Sequence, residues 1–258
     1  MKKAETVKKL VDCGVIAVVR ADSAEQAFRI IDACLEGGVL GIEITFTVPG
    51  AQEVIRQAVE KYKDTDAVIG AGTVLDAETG RAAILAGAQF VVSPCLNVEL
   101  VKLCNRYQIP VMPGAMTVTE AVNCAEAGAD IIKIFPANLF GPKIIKAIRG
   151  PLPQLSLMPT GGVNAKNLAD YLAFDQIVAC GGTWMVKKDL IAAENWDEIT
   201  RMTREAVRTM LGFSLHHVGV NCGSEEEADR LARTLCAFFG FTYQMGNSSV
   251  QALPAVEC

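Results

Sequence analysis

PVMPGAMTVTEAVNCAEAGADIIKIFP, residues 110–136, contains the pattern that decides the fold. An apolar run at 110–115 comes first, an amphipathic segment follows it, and a second apolar run ends the stretch at 131–136. Apolar runs of about six residues are typical of buried strands, and an apolar period of about 3.6 residues is typical of a helix. The stretch therefore predicts strand, helix and strand, and the glycine of EAGAD lets the chain turn tightly out of the helix.

The same unit recurs along the chain. Apolar runs that are each followed by an amphipathic segment occur at 15–20, 41–46, 67–72, 90–94, 110–115, 131–136, 155–162 and 177–182. Eight consecutive strand–helix units predict an α/β fold, a (β/α)8 TIM barrel, over residues 1–210. A doubly wound open sheet is the alternative, but its usual five or six strands fit the count less well.

Residues 211–258 have no place in such a barrel. SLHHVGVNC is strand-like, SEEEADRLARTLCAFFGF is helical with Ser224 as a candidate N-cap, and SSVQALP is a possible second strand. The segment predicts a small βαβ-like appendage that is too short to count as an independent domain. The sequence does not assign it a function, and packing or oligomerisation is our hypothesis for it.

The composition excludes several classes of protein. The chain has 258 residues, is 51% hydrophobic and carries a formal net charge of −5, which favours a globular core and argues against a general nucleic-acid binder. No apolar run approaches the ~20 residues of a transmembrane helix, and the N-terminus lacks a signal-peptide pattern. The 9 cysteines are scattered without a CxxC pair, which is typical of reduced thiols. We expect a cytoplasmic protein that binds neither nucleic acid nor membrane.

A single charged residue, Lys133, interrupts the apolar run IIKIFP. Side chains alternate along a strand, so Lys133 shares a face with Ile131, and Ile132 lies on the other face. The outer face of a barrel is covered by apolar helices, which suits Ile132. We therefore expect Lys133 to point into the barrel, where the same alternation places Glu43 of GIEITF.

Two hypotheses remain open for this pair. Lys133 and Glu43 can form a structural ion pair, although the cost of desolvating both charges makes its net contribution to stability uncertain. Alternatively, Lys133 is a nucleophile: burial disfavours the charged form of an amine, and a neutral amine can attack a carbonyl carbon. A neighbouring carboxylate would then move protons to and from the reacting groups.

Two glycine-rich turns, PTGGV at 159–163 and CGGTW at 180–184, follow strands seven and eight. Loops at these positions often bind phosphate through backbone N–H groups and a helix N-terminus. Tight turning alone would explain either turn, but two on these strands favour a phosphate site. Its candidate residues are Thr160, Gly161, Gly162, Gly181, Gly182 and Thr183.

Weaker signals come from Thr73, at the end of strand three, and Arg20, at the end of strand one. Thr73 can hold a carboxylate or cap the next helix, and Arg20 can bind an anion or be an ordinary surface charge. The histidines, His216 and His217, are adjacent and lie beyond the barrel. Since successive strand residues point to opposite faces, they are poor joint ligands, and we expect no metal site.

With these residues placed, the chain resembles the class I aldolases for 2-keto-3-deoxy-6-phosphogluconate and 4-hydroxy-2-oxoglutarate, the KDPG/KHG aldolase family. The matching stretches are GIEIT, GAGTV, Ser93-Pro94, PGAMTVTEA, KIFPA, PTGGV and CGGTW. The resemblance covers roughly residues 5 to 210. The lysine strand and the PTGGV and GGTW turns are specific in combination, whereas GAGT alone would not be.

The resemblance implies a role for each candidate residue. Lys133 would form the Schiff base and Glu43 would transfer protons. Thr73 and Pro94 would line the pyruvoyl end of the substrate, and Phe135 would flank the imine. The residues of the two glycine turns would bind the distal phosphate. The resemblance further implies a 2-oxo acid substrate, pyruvate as a product, no cofactor and a homotrimer.

The chain departs from the family pattern at Thr47, where many members carry an arginine that binds the substrate carboxylate. Arg20 resembles an arginine of the related 2-keto-3-deoxy-6-phosphogalactonate aldolases, so we expect Arg20 to bind the substrate carboxylate. The sequence does not decide the stereochemistry of the sugar acid. Two rivals also remain: a phosphate-binding barrel isomerase or epimerase in which Lys133 is never covalent, and a non-catalytic protein that binds sugar-acid phosphates.

Overall fold

The structure, a computed structural model, describes residues 3–212, 222–239, 242–243 and 256–257. The chain divides into two compact units, Met1–Leu211 and Gly212–Cys258. Within the described ranges, every helix is too short or too polar to cross a bilayer.

Parallel strands and helices alternate through the first unit. The strands are β1 Val15–Val19, β2 Gly41–Thr45, β3 Val68–Gly72, β4 Val91–Val92, β5 Val111–Met112, β6 Gly114–Ala115, β7 Ile132–Ile134, β8 Leu157–Pro159 and β9 Cys180–Gly182. The helices are α1 Lys3–Cys13, α2 Ala24–Glu36, α3 Ala51–Lys61, α4 Ala77–Leu85, α5 Val98–Arg106, α6 Val118–Ala127, α7 Lys143–Arg149, α8 Leu168–Leu172, α9 Lys188–Ala192 and α10 Trp196–Leu211. A 3₁₀ turn spans Ala137–Leu139.

The strands follow one another around a ring. One sheet has the order β5-β4-β3-β2-β1-β9 and a second has the order β6-β7-β8. Two parallel bridges, Leu157 to Ile177 and Thr160 to Gly181, connect β8 with the segment of β9. β5 and β6 are halves of the predicted fifth strand, and Pro113 separates them because proline has no N–H to donate to the ladder. The predicted (β/α)8 fold is thus confirmed.

Two apolar layers lie on opposite sides of the strands. Ile132 and Ile42 belong to the layer shared with the surrounding helices. Ile131 belongs to a smaller layer inside the barrel, formed with residues of the other strands and Leu10 of α1. The alternation predicted for these strands is confirmed, and it explains how Lys133 can face the interior while its neighbours Ile132 and Ile134 pack outward.

Buried thiols occupy parts of the outer layer. Burial raises the pKa of Cys34, Cys104 and Cys180 each to about 12. Thiols with such pKa values stay protonated at neutral pH, and protonated thiols react poorly with alkylating reagents. Cys95, in the loop after β4, is instead exposed.

The second unit contains a helix, α11 Glu225–Phe239, and an antiparallel strand pair, β10 Thr242–Tyr243 and β11 Val256–Glu257. The predicted cap is present: the N–H of Glu227 donates to Ser224 Oγ at 3.2 Å. Of the two predicted strands, SLHHVGVNC lies outside the described residues except for Cys222, and SSVQALP lies outside them entirely.

Candidate active site

A cavity of about 760 Å³ opens at the carboxyl ends of the barrel strands. All but one of the predicted site residues line it: Arg20, Glu43, Thr73, Pro94, Lys133, Phe135, Thr160, Gly161, Gly162, Gly182 and Thr183. The exception is Gly181, which pairs with Ile16 on one side and bridges to Thr160 on the other. A Cβ at Gly181 would lie 2.6 Å from Thr160 Oγ1, so this glycine makes room for the threonine and does not face the cavity.

Lys133 and Glu43 meet inside the barrel, at the base of this cavity. Lys133 Nζ lies 3.9 Å from Glu43 Oε1, and the two side chains are only 7% and 1% exposed. At this distance the charges attract without a hydrogen bond. Glu43 Oε2 is buried and has no hydrogen-bond partner among the described residues. Burying a carboxylate oxygen without a hydrogen-bond partner costs free energy. Such an oxygen is common in sites where a substrate or a water supplies the missing partner.

The space for Glu43 comes from the neighbouring strand β3. A Cβ at Gly72 would overlap the Glu43 carboxylate, and a Cβ at Gly70 would lie 2.5 Å from the ring of Phe90. Both glycines follow the alternation of β3 and face the interior. The segment GAG therefore has glycine at both inward positions because the side chains of Phe90 and Glu43 fill the space there.

Other predicted residues surround the amine. Lys133 Nζ lies 5.0 Å from the centroid of the Phe135 ring, within the range of a cation–π contact. Thr73 has φ +58°, a left-handed conformation that is uncommon for a β-branched residue. Strained backbone of this kind clusters at functional sites, and here it directs Thr73 to the cavity.

The turn after β8 forms the opposite end of the cavity. Gly161 and Gly162 have φ +85° and +80°, which only glycine adopts readily. The carbonyl of Gly162 accepts from Asn164 Nδ2 at 3.1 Å and from Asn167 Nδ2 at 2.9 Å. Thr160 Oγ1 is buried and has no hydrogen-bond partner among the described residues. The turn is thus fixed by two side-chain amides, and the Thr160 hydroxyl remains as a donor without a partner in the described part of the chain.

Thr47 is held away from the cavity. Its hydroxyl lies 2.7 Å from that of Thr45, and the Thr45 hydroxyl donates to the Val19 carbonyl at 3.2 Å. Arg20, which follows β1, does line the cavity. Of the two positions considered for a carboxylate ligand, only Arg20 supplies a cation.

The sequence interpretation missed several lining residues, above all Lys187 and Lys188, with Asn164 and Trp184. Two lysines at the start of a helix have the pattern of any solvated surface, so nothing in the composition distinguishes them. Their position after GGTW could have drawn notice, since loops after strand eight face the active site of a barrel.

The described residues contain no group of three or more histidine, cysteine or acidic side chains placed to hold a metal ion. His216 and His217, which the sequence interpretation considered as ligands and set aside, lie outside the described ranges.

Comparison with known proteins gives consistent matches over the barrel. The 2-dehydro-3-deoxy-phosphogluconate aldolase of Haemophilus influenzae is 41% identical over 204 residues, which are 79% of this chain and 95% of that protein. The KHG/KDPG aldolase of Escherichia coli is 37% identical over 194 residues, covering 75% of this chain and 90% of that protein.

A solved structure shows the same likeness. The crystal structure of KDPG aldolase from Legionella pneumophila, with pyruvate captured at low pH as a covalent carbinolamine intermediate, has a TM-score of 0.73 at 31% identity. The match covers 78% of this chain and 97% of that one. The family model for KDPG and KHG aldolase matches residues 6–202. This chain belongs to the KDPG and KHG aldolase family.

Proposed function

We propose that this chain is a class I aldolase that cleaves 2-keto-3-deoxy-6-phosphogluconate to pyruvate and glyceraldehyde 3-phosphate through a Schiff base on Lys133. The buried amine of Lys133, 3.9 Å from a buried carboxylate at the base of a cavity, is the main support. Family membership supports the same chemistry, because relatives carry this activity in their names. Cleavage of 4-hydroxy-2-oxoglutarate to pyruvate and glyoxylate would use the same steps.

The reaction begins with the neutral amine of Lys133. Its nitrogen adds to the C2 carbonyl of the substrate to give a carbinolamine, which loses water to give a protonated imine. The electron pair of the C3–C4 bond then moves toward the imine as the bond breaks. The products of this step are an enamine on Lys133 and an aldehyde, so the imine performs the polarisation that a metal ion supplies in other aldolases.

Glu43 is the proton carrier. As the C3–C4 bond breaks, its carboxylate takes the proton of the C4 hydroxyl, directly or through a water. It returns a proton to C3 of the enamine, and hydrolysis of the resulting imine releases pyruvate and the free amine. Glu43 Oε2 has no described protein partner and is available for this exchange.

The rest of the cavity would hold the two ends of the substrate. Thr73, Pro94 and Phe135 surround the pyruvoyl end, and Arg20 supplies a positive charge for the carboxylate. The turn around Gly161 and Gly162 and the turn at Thr183 offer backbone N–H groups to the phosphate. The same geometry would accept the phosphogalactonate epimer, so comparing kcat/KM for the two epimers tests the stereochemistry.

Borohydride reduction in the presence of pyruvate tests the mechanism. The protein should gain a pyruvate-derived mass on the peptide that contains Lys133, and Glu43→Gln should still be trapped while its cleavage rate falls by about 10²- to 10⁴-fold. An unmodified mass under conditions where pyruvate demonstrably binds would contradict the covalent mechanism. It would then favour an isomerase, an epimerase or a binding protein.

Assembly and compartment belong to the same proposal. We expect a cytoplasmic homotrimer that serves sugar-acid breakdown of the Entner-Doudoroff type. Two exposed apolar residues that begin the adjacent helices α5 and α6, Val98 and Val118, offer surface that a subunit contact would cover. Sedimentation equilibrium at several protein concentrations tests the trimer, and a monomer at all of them would contradict it.

A further inference from the structure

Two cations that the aldol steps do not use, Lys187 and Lys188, line the active-site cavity. Both are exposed, and neither forms an ion pair with any residue in the described ranges. Most of the ion-paired lysines sit beside acidic partners on the outer helices, as Lys102 does with Glu99. The charge of Lys187 contributes to lowering the pKa of the Glu198 carboxyl, but without a direct ion pair both lysines can still turn to an anion in the cavity.

The turn after β9 fixes the place of these lysines. The N–H of Val186 donates to the Thr183 carbonyl at 3.1 Å, which closes the turn. Trp184 is buried and packs where a Cβ of Gly182 would otherwise lie. Helix α9 begins at Lys188, directly after this turn. A packed aromatic residue and a helix start thus hold both lysines at the rim.

The charge of the cavity differs in sign from that of the whole chain. Apart from the reactive pair Lys133 and Glu43, its charged lining residues are the three cations Arg20, Lys187 and Lys188. The chain as a whole carries −5. A concave site with one sign of charge concentrates ligands of the other sign, so this cavity attracts anions with more than one charge.

The neutral groups near the lysines also suit a phosphate. Thr160 Oγ1 is buried, lines the cavity and has no hydrogen-bond partner within the described part of the chain. Two consecutive glycines with positive φ follow it. Because glycine has no side chain, nothing on these two residues shields their backbone N–H groups. A phosphate dianion needs several donors and a compensating charge, and this end of the cavity supplies both.

We propose that Lys187 and Lys188 determine specificity for the phosphorylated substrate, by neutralising the phosphate that the glycine turns hold. This inference rests on the proposed aldolase function. The five-carbon diacid carries its second anion as a carboxylate next to the reacting carbons and has no phosphate, so the rim lysines stabilise the longer substrate selectively. They act as specificity determinants and take no part in breaking the C3–C4 bond.

The test compares kcat/KM for the phosphorylated six-carbon acid with that for 4-hydroxy-2-oxoglutarate. In the double variant Lys187→Met/Lys188→Met the ratio of the two should fall by roughly tenfold, since each exposed ion pair contributes a factor of about two to five. The loss should lie mainly in KM for the phosphorylated substrate. Lys187→Arg/Lys188→Arg keeps both charges and should retain the ratio.

Ionic strength gives a second measurement. KM of the wild-type enzyme for the phosphorylated substrate should rise between 20 mM and 500 mM salt, because exposed charges are screened over about 10 Å at 0.1 M. The rise should be much smaller in the methionine variant. Inorganic phosphate should likewise inhibit diacid cleavage less strongly in that variant than in the wild type.

Lys63→Met/Lys102→Met is the matched control, because it removes two exposed lysines that are paired with Glu60 and Glu99 away from the cavity. It should leave the substrate ratio unchanged. An unchanged ratio in the Lys187→Met/Lys188→Met variant, or an equal fall in the control, would overturn the proposal. Failure of the wild-type enzyme to trap pyruvate under borohydride would instead overturn the aldolase function itself, which separates the two outcomes.

Discussion

Lys133 and Glu43, at the base of the cavity, lie on strands and are almost completely buried, whereas Lys187 and Lys188, at its rim, follow a turn and are exposed. Water screens the rim charges, so each contributes little, and their effects should be graded and dependent on salt. The charges at the base are hardly screened, and removing one leaves the other buried without its partner. The same molecule thus combines a base that tolerates little change with a rim that can adjust specificity.

The largest expected effect is that of Lys133→Ala. Loss of the nucleophile should lower kcat by on the order of 10⁴-fold or more, as for other covalent catalysts. Inorganic phosphate should still bind, because the phosphate end is intact, and calorimetry measures that binding. Turnover close to that of the wild type would show that Lys133 is not the nucleophile. The base of the cavity would then tolerate change as well as the rim does.

Gly72→Ala sharpens the contrast at the base. The new Cβ would overlap the Glu43 carboxylate. We expect the free energy of unfolding to fall by about 1–3 kcal/mol from overpacking, and kcat to fall by roughly 10- to 100-fold as Glu43 moves away from Lys133. Denaturant unfolding and steady-state kinetics measure the two effects.

Gly150→Ala is the control for that change, since the nearest atom to its Cβ would be 3.8 Å away and its φ is −54°. It should leave kcat unaltered. If Gly72→Ala also left kcat unaltered, the position of the Glu43 carboxylate would not depend on the absence of a side chain at residue 72.

Asn167→Asp probes the phosphate turn. The aspartate keeps an acceptor for the Asn164 N–H but cannot donate to the Gly162 carbonyl, which now accepts from Asn167 at 2.9 Å. KM for the phosphorylated substrate should rise by about 3- to 10-fold with kcat nearly constant, because one hydrogen bond that orients the turn is lost and the new carboxylate adds a negative charge near the phosphate. A fall in kcat with unchanged KM would contradict a role confined to positioning the turn.

The last prediction concerns the core that supports both regions and affects stability without changing the site. The Cys34 thiol has its pKa raised to about 12 by burial, while an unfolded thiol titrates near 9. Above pH 9 the unfolded state therefore loses protons that the folded state keeps, and stability declines by about 1.4 kcal/mol per pH unit and per such thiol.

Urea unfolding in a reducing buffer at pH 8, 9, 10 and 11 measures that decline. Cys34→Ala should be less stable at pH 8 but should lose less stability per pH unit above pH 9. Equal slopes for variant and wild type would show that the alkaline decline has another source.

The count of eight strand–helix units was sufficient to predict the barrel. Alternation along the strands predicted the inward direction of Lys133 and its meeting with Glu43, because burial on the outer face constrains every second residue of a strand. It did not predict the break at Pro113, where a missing donor ends one ladder and the next begins two residues later. The glycine-turn motif assigned Gly181 to the phosphate site; in the structure a Cβ at Gly181 would meet Thr160 Oγ1, and Gly181 is not among the cavity-lining residues. Lys187 and Lys188 went unnoticed because an exposed lysine has the same local pattern whether a cavity or bulk water lies in front of it.

The bare interior face of β3 has a consequence for redesign. A side chain at position 72 would occupy the space of Glu43, and one at position 70 would occupy the space of Phe90. The two residues of each pair therefore have to change together. A library that varies position 43 alone tests only side chains that fill the space left by Gly72. Moving the proton carrier to another strand would require a larger residue at position 72 in the same step, and no single substitution makes that exchange.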